Sequence, residues 1–148
     1  MLRPGEITLV NQIDDSSCHH ATCAMVTGTS INELIAEYGN DDGLAERDAI
    51  RILMRHMILP VPIHTFMQGS YPLWNPGLYM VTTPSLNDSG RLHSVVVVST
   101  VVCGLSVLDP QNGRSGMKWW PRDSLTVGSA GPALQYLEIL KLEDMAKG

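Results

Sequence analysis

A polar turn followed by a run of small and apolar residues is the first clear pattern along the chain. Residues 14–17 are Asp, Asp, Ser and Ser, which commonly begin helices, and the positions from Ala21 to Val26 are mostly small or apolar. Gly28 then supplies a typical helix stop. We therefore predict a buried helix over residues 18–26 that begins at or close to Cys18, after a short extended segment over residues 7–13.

Two further helices are predicted before the middle of the chain. Ser30 and Glu33 have the spacing of a capping box, which predicts a helix that runs to about Tyr38. Residues 44–57 carry apolar side chains at helical spacing with charged residues between them, which predicts an amphipathic helix. The two prolines that follow are expected to end it.

The second half of the chain is rich in β-branched residues. Its β-prone runs are bounded by Gly, Pro, Asn and Asp and cover residues 62–66, 77–83, 92–100, 101–108 and 134–142. Four consecutive valines follow His93 and Ser94, which indicates a central strand buried on both faces, although such runs are equally common as ordinary core. We predict an α+β fold in which an N-terminal helical half packs on a C-terminal antiparallel β-sheet, within a single domain of residues 1–148.

Composition and charge narrow the class of protein. The chain has 148 residues, of which 44% are hydrophobic and 17% charged, and this favours a globular domain over a disordered chain. A net charge of −5 without a dense basic cluster argues against nucleic-acid binding, and no apolar run approaches the ~20 residues that span a bilayer.

The cysteines and the N-terminal residues indicate in which cellular compartment the protein is expected. The first residues do not resemble a signal peptide, and three cysteines without the spacing of a disulfide framework favour a reducing environment. We therefore expect a protein of the cytoplasm, or one carried in a phage particle, with no membrane insertion and at least one thiol free for chemistry.

Four residues have side chains that could together perform thiol chemistry: Gln12, Cys18, His93 and Asp109. The thiolate is the reactive form of cysteine, and a helix N-terminus and a nearby imidazolium both favour it. If the strand that begins near His93 forms an antiparallel hairpin with the next strand, His93 and Asp109 become neighbours, and Asp109 can orient the imidazole as a base. The amide of Gln12 can then donate to an oxyanion beside the Cys18 N–H.

These residues resemble those of a known family, the bacteriocin-processing cysteine peptidases, which are the double-glycine leader peptidases of the papain-like clan. His93 opens a valine-rich strand and Asp109 begins an Asp-Pro pair followed closely by glycine, as in that family. The resemblance spans about residues 7–142. The region of the predicted nucleophile carries the pattern Gln12-x5-Cys18, with Ala21, Cys23, Ala24 and Met25 after it.

The resemblance implies a papain-like fold and a role for each of the four residues. Cys18 would be the nucleophile, His93 the general base, Asp109 the orienting acid and Gln12 the oxyanion donor. The substrate would be a peptide or protein, cleaved after small residues. No transporter follows the domain in the sequence, so we expect a stand-alone protein.

The sequence departs from that family beside the predicted nucleophile. Asp-Cys-Gly is usual in the family, whereas this chain has Ser17-Cys18-His19 followed by His20. Two imidazoles at these positions could crowd or reshape the substrate groove. Two alternatives to hydrolysis therefore stay open: a deamidase or transferase that uses the same thioester chemistry, and a vestigial site in a binding or structural module, such as a component of a phage particle or a secretion assembly.

A metal site is a weaker interpretation of the same segment. His19 and Cys23 are four residues apart and share a helix face, but Cys18 and Cys23 do not. No second pair of ligands follows at a suitable spacing. We therefore expect no metal and no cofactor.

The tryptophans and the third cysteine have simple structural interpretations. Trp119 and Trp120 are expected to place one ring in the core and the other over the edge of the sheet. The loop around Trp74 either rims the substrate groove or forms a capped turn. Cys103 is expected in a turn or in the core.

Overall fold

Three α-helices followed by five β-strands build the part of the chain that the computed structural model describes, which is residues 2–63, 75–102, 104–124 and 134–145. No helix in these ranges is long and apolar enough to cross a membrane. A short 3₁₀ helix, Pro4–Glu6, precedes the α-helices. The elements are α1 (Cys18–Thr27), α2 (Ile31–Tyr38), α3 (Glu46–Arg55), β1 (Ile58–Pro62), β2 (Gly77–Pro84), β3 (Leu92–Thr100), β4 (Gly104–Leu108) and β5 (Glu138–Asp144).

The first two helices agree with the sequence prediction to within one residue. α1 ends at Gly28, whose φ of 78° lies in the left-handed region that glycine adopts readily, and the N–H of Gly28 donates to Ala24 O. α2 begins after Ser30, whose hydroxyl accepts a hydrogen bond from Asn32 N at 3.2 Å. Residues 20–26 of α1 are all buried, so the protein surrounds this helix beyond its first turn.

The third helix is shorter than predicted, and the prolines after it have another role. α3 ends at Arg55, so Met57 lies outside it, and Met57 turns the chain with a left-handed φ of 60°. The prediction that Pro60 and Pro62 end the helix is therefore wrong, since both lie in β1, at an edge of the sheet. An edge strand tolerates proline because an N–H that faces away from the sheet has no ladder partner to lose.

The segment over residues 7–13, which is predicted to be extended, is not part of the sheet. Ile7, Leu9 and Val10 are partly buried and pack against the hydrophobic core on the helical side of the sheet. The backbone N–H of Gln12 donates to Pro110 O at 3.1 Å. The apolar residues of this segment therefore serve packing and not strand pairing.

The described strands form one antiparallel sheet in the order β1-β5-β2-β3-β4. The valine run lies in β3, between β2 and β4, and it is buried on both faces as predicted. Val96 and Val98 belong to the core cluster that the helices cover, whereas Val95 and Val97 pack on the opposite face in a cluster that includes Trp120. The predicted α+β arrangement of helices packed on an antiparallel sheet is confirmed.

β3 and β4 form the predicted hairpin, but β3 extends four residues beyond the last residue of β4 at the end opposite the turn. β4 begins only at Gly104, and Leu108 pairs with Val96. Leu92, the first residue of β3, pairs with Pro84 of β2. Because of this offset, the first residues of β3 lie beside the segment that follows β4, which begins with Asp109.

The remaining strand predictions are met in part. β2 matches its predicted range to within one residue, whereas β5 begins at Glu138 and not at 134. β1 covers the residues before the predicted run 62–66, whose last residues lie outside the described ranges, as do the loop around Trp74 and Cys103.

Candidate active site

Cys18 is the first residue of α1 and is half-buried. The buried Ser17 before it accepts hydrogen bonds from Ile13 N (2.9 Å) and Asp14 N (3.2 Å) through its hydroxyl. Ser17 therefore holds the preceding turn together and makes no side-chain cap on the helix. The positive end of the helix dipole lies at Cys18, which favours a negative charge on its sulfur.

His93 and Asp109 form a buried pair at the start of β3. His93 Nε2 lies 2.6 Å from Asp109 Oδ1, and the two side chains are 6% and 1% exposed. The carboxylate also accepts from Gln111 N at Oδ1 and from Trp120 N at Oδ2, each at 2.9 Å. Because a carboxylate can only accept, His93 Nε2 carries the proton of this bond, and Nδ1 is the ring nitrogen left for Cys18.

The pKa of His93 is set by both of its neighbours. Burial alone lowers the pKa of this imidazole, but hydrogen bonds to Asp109 and to the Cys18 thiol, together with the charges of both groups, outweigh burial and raise the pKa to about 9. The ring is therefore protonated at neutral pH while it lies next to the sulfur. The structure thus places Cys18, His93 and Asp109 in one site.

Gln12 lies in the segment that precedes α1. Its side chain is buried, and Nε2 donates to Asp14 O at 2.7 Å. Its backbone bond to Pro110 O ties the segment before Cys18 to the loop that begins at Asp109. One amide hydrogen of Gln12 is thus used inside the turn, and Oε1 is buried without a partner among the described residues.

A cleft of about 580 Å³ lies beside the paired residues. Its walls come from the first turn of α1, from α3, and from strands β2, β3 and β5. Cys18, His93 and Ser94 line it together with apolar side chains and with Glu46 and Glu138. Burial, with the charge of Glu46, raises the pKa of Glu138. The cleft therefore offers a mixed apolar and acidic surface next to the thiol.

The two histidines after Cys18 point in different directions. His19 lines the cleft, and its Nδ1 donates to Leu44 O at 3.2 Å, since a carbonyl can only accept. Burial lowers the pKa of His19, so its ring is neutral near pH 7. His20 is fully buried and its Nε2 donates to Gly39 O at 2.7 Å, which joins α1 to the end of α2. Of the two imidazoles, His19 is the one that shapes the cleft.

Comparison with solved structures shows a likeness that covers almost the whole chain. No known protein-family profile matches the sequence, and no curated protein matches it either. Among solved structures, the peptidase domain of Streptococcus ComA, a bifunctional ABC transporter involved in a quorum-sensing pathway, superimposes with a TM-score of 0.57. The match covers 92% of this chain and 97% of that domain, at 16% sequence identity.

This chain has the fold of the ComA peptidase domain. The likeness covers almost the whole of both chains, so it includes the helical half as well as the sheet. The family resemblance read from the four residues and the independent likeness in three dimensions therefore lead to the same fold.

Trp120 is the site residue that the sequence analysis missed in this peptidase fold. It is buried, as expected for one of the two tryptophans, but its ring also stacks on His93, with centroids 6.3 Å apart and planes 19° apart. Its backbone N–H holds Asp109 as well. No local pattern links Trp120 to His93, because the contact depends on the path of the chain after β4.

The proposed metal ligands His19 and Cys23 both lie in the ranges that the structure describes. Within them, no group of three or more His, Cys, Asp or Glu is placed to hold a metal ion. Cys23 is fully buried in the core, and burial raises the pKa of its thiol to about 12. Of the two described cysteines, Cys18 is therefore the one placed to react near neutral pH.

The raised pKa of His93 predicts how stability depends on pH. Between 6.5, the usual value, and about 9, His93 holds a proton in the folded protein that it releases in the unfolded chain, so the contribution of this residue to the free energy of unfolding falls as pH rises through this window. The pKa of the ring separates this effect from the ionisation of Cys18. An NMR titration should show the His93 ring losing its proton near pH 9 in the folded protein and near pH 6.5 in urea, and an ordinary pKa in the folded protein would contradict the assignment.

Proposed function

We propose that this chain is a cysteine peptidase that acts on a peptide or protein substrate. The observation that carries the proposal is the position of His93, which is bonded to Asp109 on one side and to the Cys18 thiol on the other. The cleft beside these groups gives a substrate access to the sulfur. The fold shared with the ComA peptidase domain supports the same conclusion.

In the first step, the Cys18 thiolate attacks the carbonyl carbon of the scissile peptide bond. The carbonyl oxygen becomes an oxyanion, and His93 transfers its Nδ1 proton to the leaving nitrogen as the C–N bond breaks. The amine product leaves, and the acyl group remains on the sulfur as a thioester. Asp109 keeps the ring oriented and stabilises the imidazolium through Nε2.

In the second step, water replaces the amine in the same geometry. His93, now neutral, removes a proton from the water as its oxygen attacks the thioester carbonyl. The C–S bond breaks, the acid product leaves, and the thiolate–imidazolium pair is restored. A free thiol is required in every cycle, which fits a reducing compartment such as the cytoplasm.

The oxyanion is assigned to the Cys18 N–H and to the second amide hydrogen of Gln12. The first amide hydrogen is already bonded to Asp14 O, and this bond fixes the orientation of the amide before a substrate arrives. Gln12 is thus a preorganised donor in this proposal and not a mobile one.

The decisive experiment is alkylation of Cys18 in the folded and in the urea-unfolded protein near pH 6. An ordinary thiol is only about 0.3% ionised there, so pairing with an imidazolium can accelerate alkylation by on the order of 100-fold. We expect iodoacetamide to modify Cys18 faster in the folded protein, although the residue is half-buried, and Cys23 more slowly. Peptide mass spectrometry reports both rates in the same sample.

Each outcome of this experiment decides the proposal. Folding that slows Cys18 as much as Cys23 would overturn the enzymatic assignment and favour a binding module. If Cys18 is accelerated, a peptide library incubated with wild type and with Cys18→Ala identifies the reaction. Free carboxyl ends that form only with wild type support hydrolysis, whereas acyl transfer to added amines or loss of side-chain amides without chain cleavage would replace it with a transferase or a deamidase.

A further inference from the structure

A buried chain of hydroxyl groups links the nucleophile helix to the histidine strand. Thr22 Oγ1 lies 3.1 Å from Ser94 Oγ and donates to His19 O at 3.0 Å. The single hydroxyl proton of Thr22 is used on the carbonyl, so Ser94 must be the donor in the bond between the two hydroxyls. The chain therefore runs from Ser94 through Thr22 to His19. Both hydroxyl side chains are buried.

The two ends of this chain lie next to the two reacting residues. Ser94 follows His93 in β3, and His19 follows Cys18 in α1. Thr22 is one helical turn beyond Cys18. A shift of α1 along β3 would therefore stretch the bond between Ser94 and Thr22 at the same time as it separated the Cys18 sulfur from the imidazole.

The apolar contacts between α1 and β3 set the distance from the Cys18 sulfur to His93 less sharply than a hydrogen bond does. The buried residues that α1 and β3 contribute to the same core cluster are apolar or small, and they include Cys23, Ala24, Val96 and Val98. Apolar contact stabilises the pair of elements but is not directional. A hydrogen bond between buried hydroxyls weakens steeply with distance and angle, and leaving one unpaired costs free energy.

We infer that Thr22 and Ser94 are positioning residues that set the distance and angle between the Cys18 sulfur and His93. The inference rests on the proposed function, because it assigns these hydroxyls a role in the reactivity of the thiol. Displacement of a reacting group by about 1 Å can cost as much as 100-fold in rate. In this inference the hydroxyls act through the geometry of Cys18 and His93.

The test measures the rate of Cys18 alkylation from about pH 5 to pH 9 in matched variants. Thr22→Val keeps the shape of the side chain and removes its hydroxyl, and we expect it to slow Cys18 by about tenfold near pH 6. Its pH profile should also move toward that of an ordinary thiol. Thr22→Ser, which keeps the hydroxyl, should restore the rate to within about twofold of wild type.

Thr27→Val is the control on the same helix. Thr27 Oγ1 donates to Cys23 O at 2.7 Å, so this variant also removes an intrahelical hydroxyl bond, but at the far end of α1 from Cys18. It should leave the rate and the pH profile of Cys18 unchanged. An equal loss in Thr27→Val and Thr22→Val would overturn the inference, because it would show a general effect on the helix.

The double variant Thr22→Val, Ser94→Ala distinguishes a change in the geometry of Cys18 and His93 from a general loss of stability. It removes both hydroxyls, so Ser94 no longer leaves a buried donor unpaired, and its melting temperature should recover part of the loss seen in Thr22→Val. The alkylation rate should stay low if the bond sets the geometry. Recovery of both stability and rate would contradict the inference.

Failure of this inference differs from failure of the proposed function. If Thr22→Val keeps the wild-type rate and pH profile while folding still accelerates Cys18 in wild type, the hydroxyls have no positioning role and the peptidase proposal stands. If folding does not accelerate Cys18 in wild type, the peptidase proposal fails and this inference fails with it.

Discussion

Replacement of His93 by alanine is expected to slow alkylation of Cys18 near pH 6 by on the order of 100-fold. The pKa of His93 is raised to about 9, so wild type keeps an imidazolium beside the sulfur throughout the neutral range. The rate in wild type should therefore change little from about pH 6 to pH 8. Without the imidazolium, the rate should rise about tenfold for each pH unit, as it does for an ordinary thiol.

His56→Ala is the matched control for this prediction. His56 is also a partly buried histidine with a side-chain partner, since its Nε2 lies 3.0 Å from Thr29 Oγ1, but it follows α3 and does not line the cleft. This variant should keep the flat pH profile of wild type. A steep profile in wild type itself, or a flat one in His93→Ala, would show that Cys18 does not depend on His93.

Replacement of Asp109 by alanine is expected to lower the free energy of unfolding by about 3–5 kcal/mol near pH 7. The carboxylate is 1% exposed and accepts from His93 Nε2, Gln111 N and Trp120 N. Its removal leaves a buried imidazolium without its counter-charge and two backbone donors without an acceptor. A loss of this size approaches the whole stability of many domains, so urea unfolding should be measured in the cold.

Two comparison variants make this prediction specific. Asp109→Asn keeps an acceptor for His93 but turns its amide nitrogen toward a donor, so it should cost less than alanine, about 1–3 kcal/mol. Asp88→Ala removes an exposed carboxylate that pairs with Arg91 at 3.6 Å, and it should cost at most about 1 kcal/mol. If Asp109→Ala and Asp88→Ala lower the free energy of unfolding equally, the buried interactions of Asp109 do not stabilise the fold.

Local sequence signals were sufficient for the elements that carry the site. The change from polar to small residues at Cys18 marked a helix start, and the glycine at 28 marked its end, because each depends on short-range backbone geometry. The valine run after His93 marked a strand for the same reason. Sequence reasoning thus predicted the helix that carries Cys18 and the strand that carries His93.

Features that depend on long-range arrangement were predicted less well. The preference of proline for helix ends predicts that Pro60 and Pro62 stop α3, but the strand order places both at an edge of the sheet. The stack of Trp120 on His93 and the opposite directions of His19 and His20 depend on how loops and helices pack. No periodicity in the sequence contains that information.

The burial of Cys23 in the core has a consequence for oxidative damage. A thiolate such as the one proposed at Cys18 is readily oxidised by peroxide to sulfenic acid, and a nearby second thiol usually rescues it by forming a disulfide. Cys23 is only five residues away in sequence, but it lies inside the core and its thiol stays protonated. Of the two cysteines in the described ranges, Cys23 therefore cannot resolve an oxidised Cys18 by forming a disulfide.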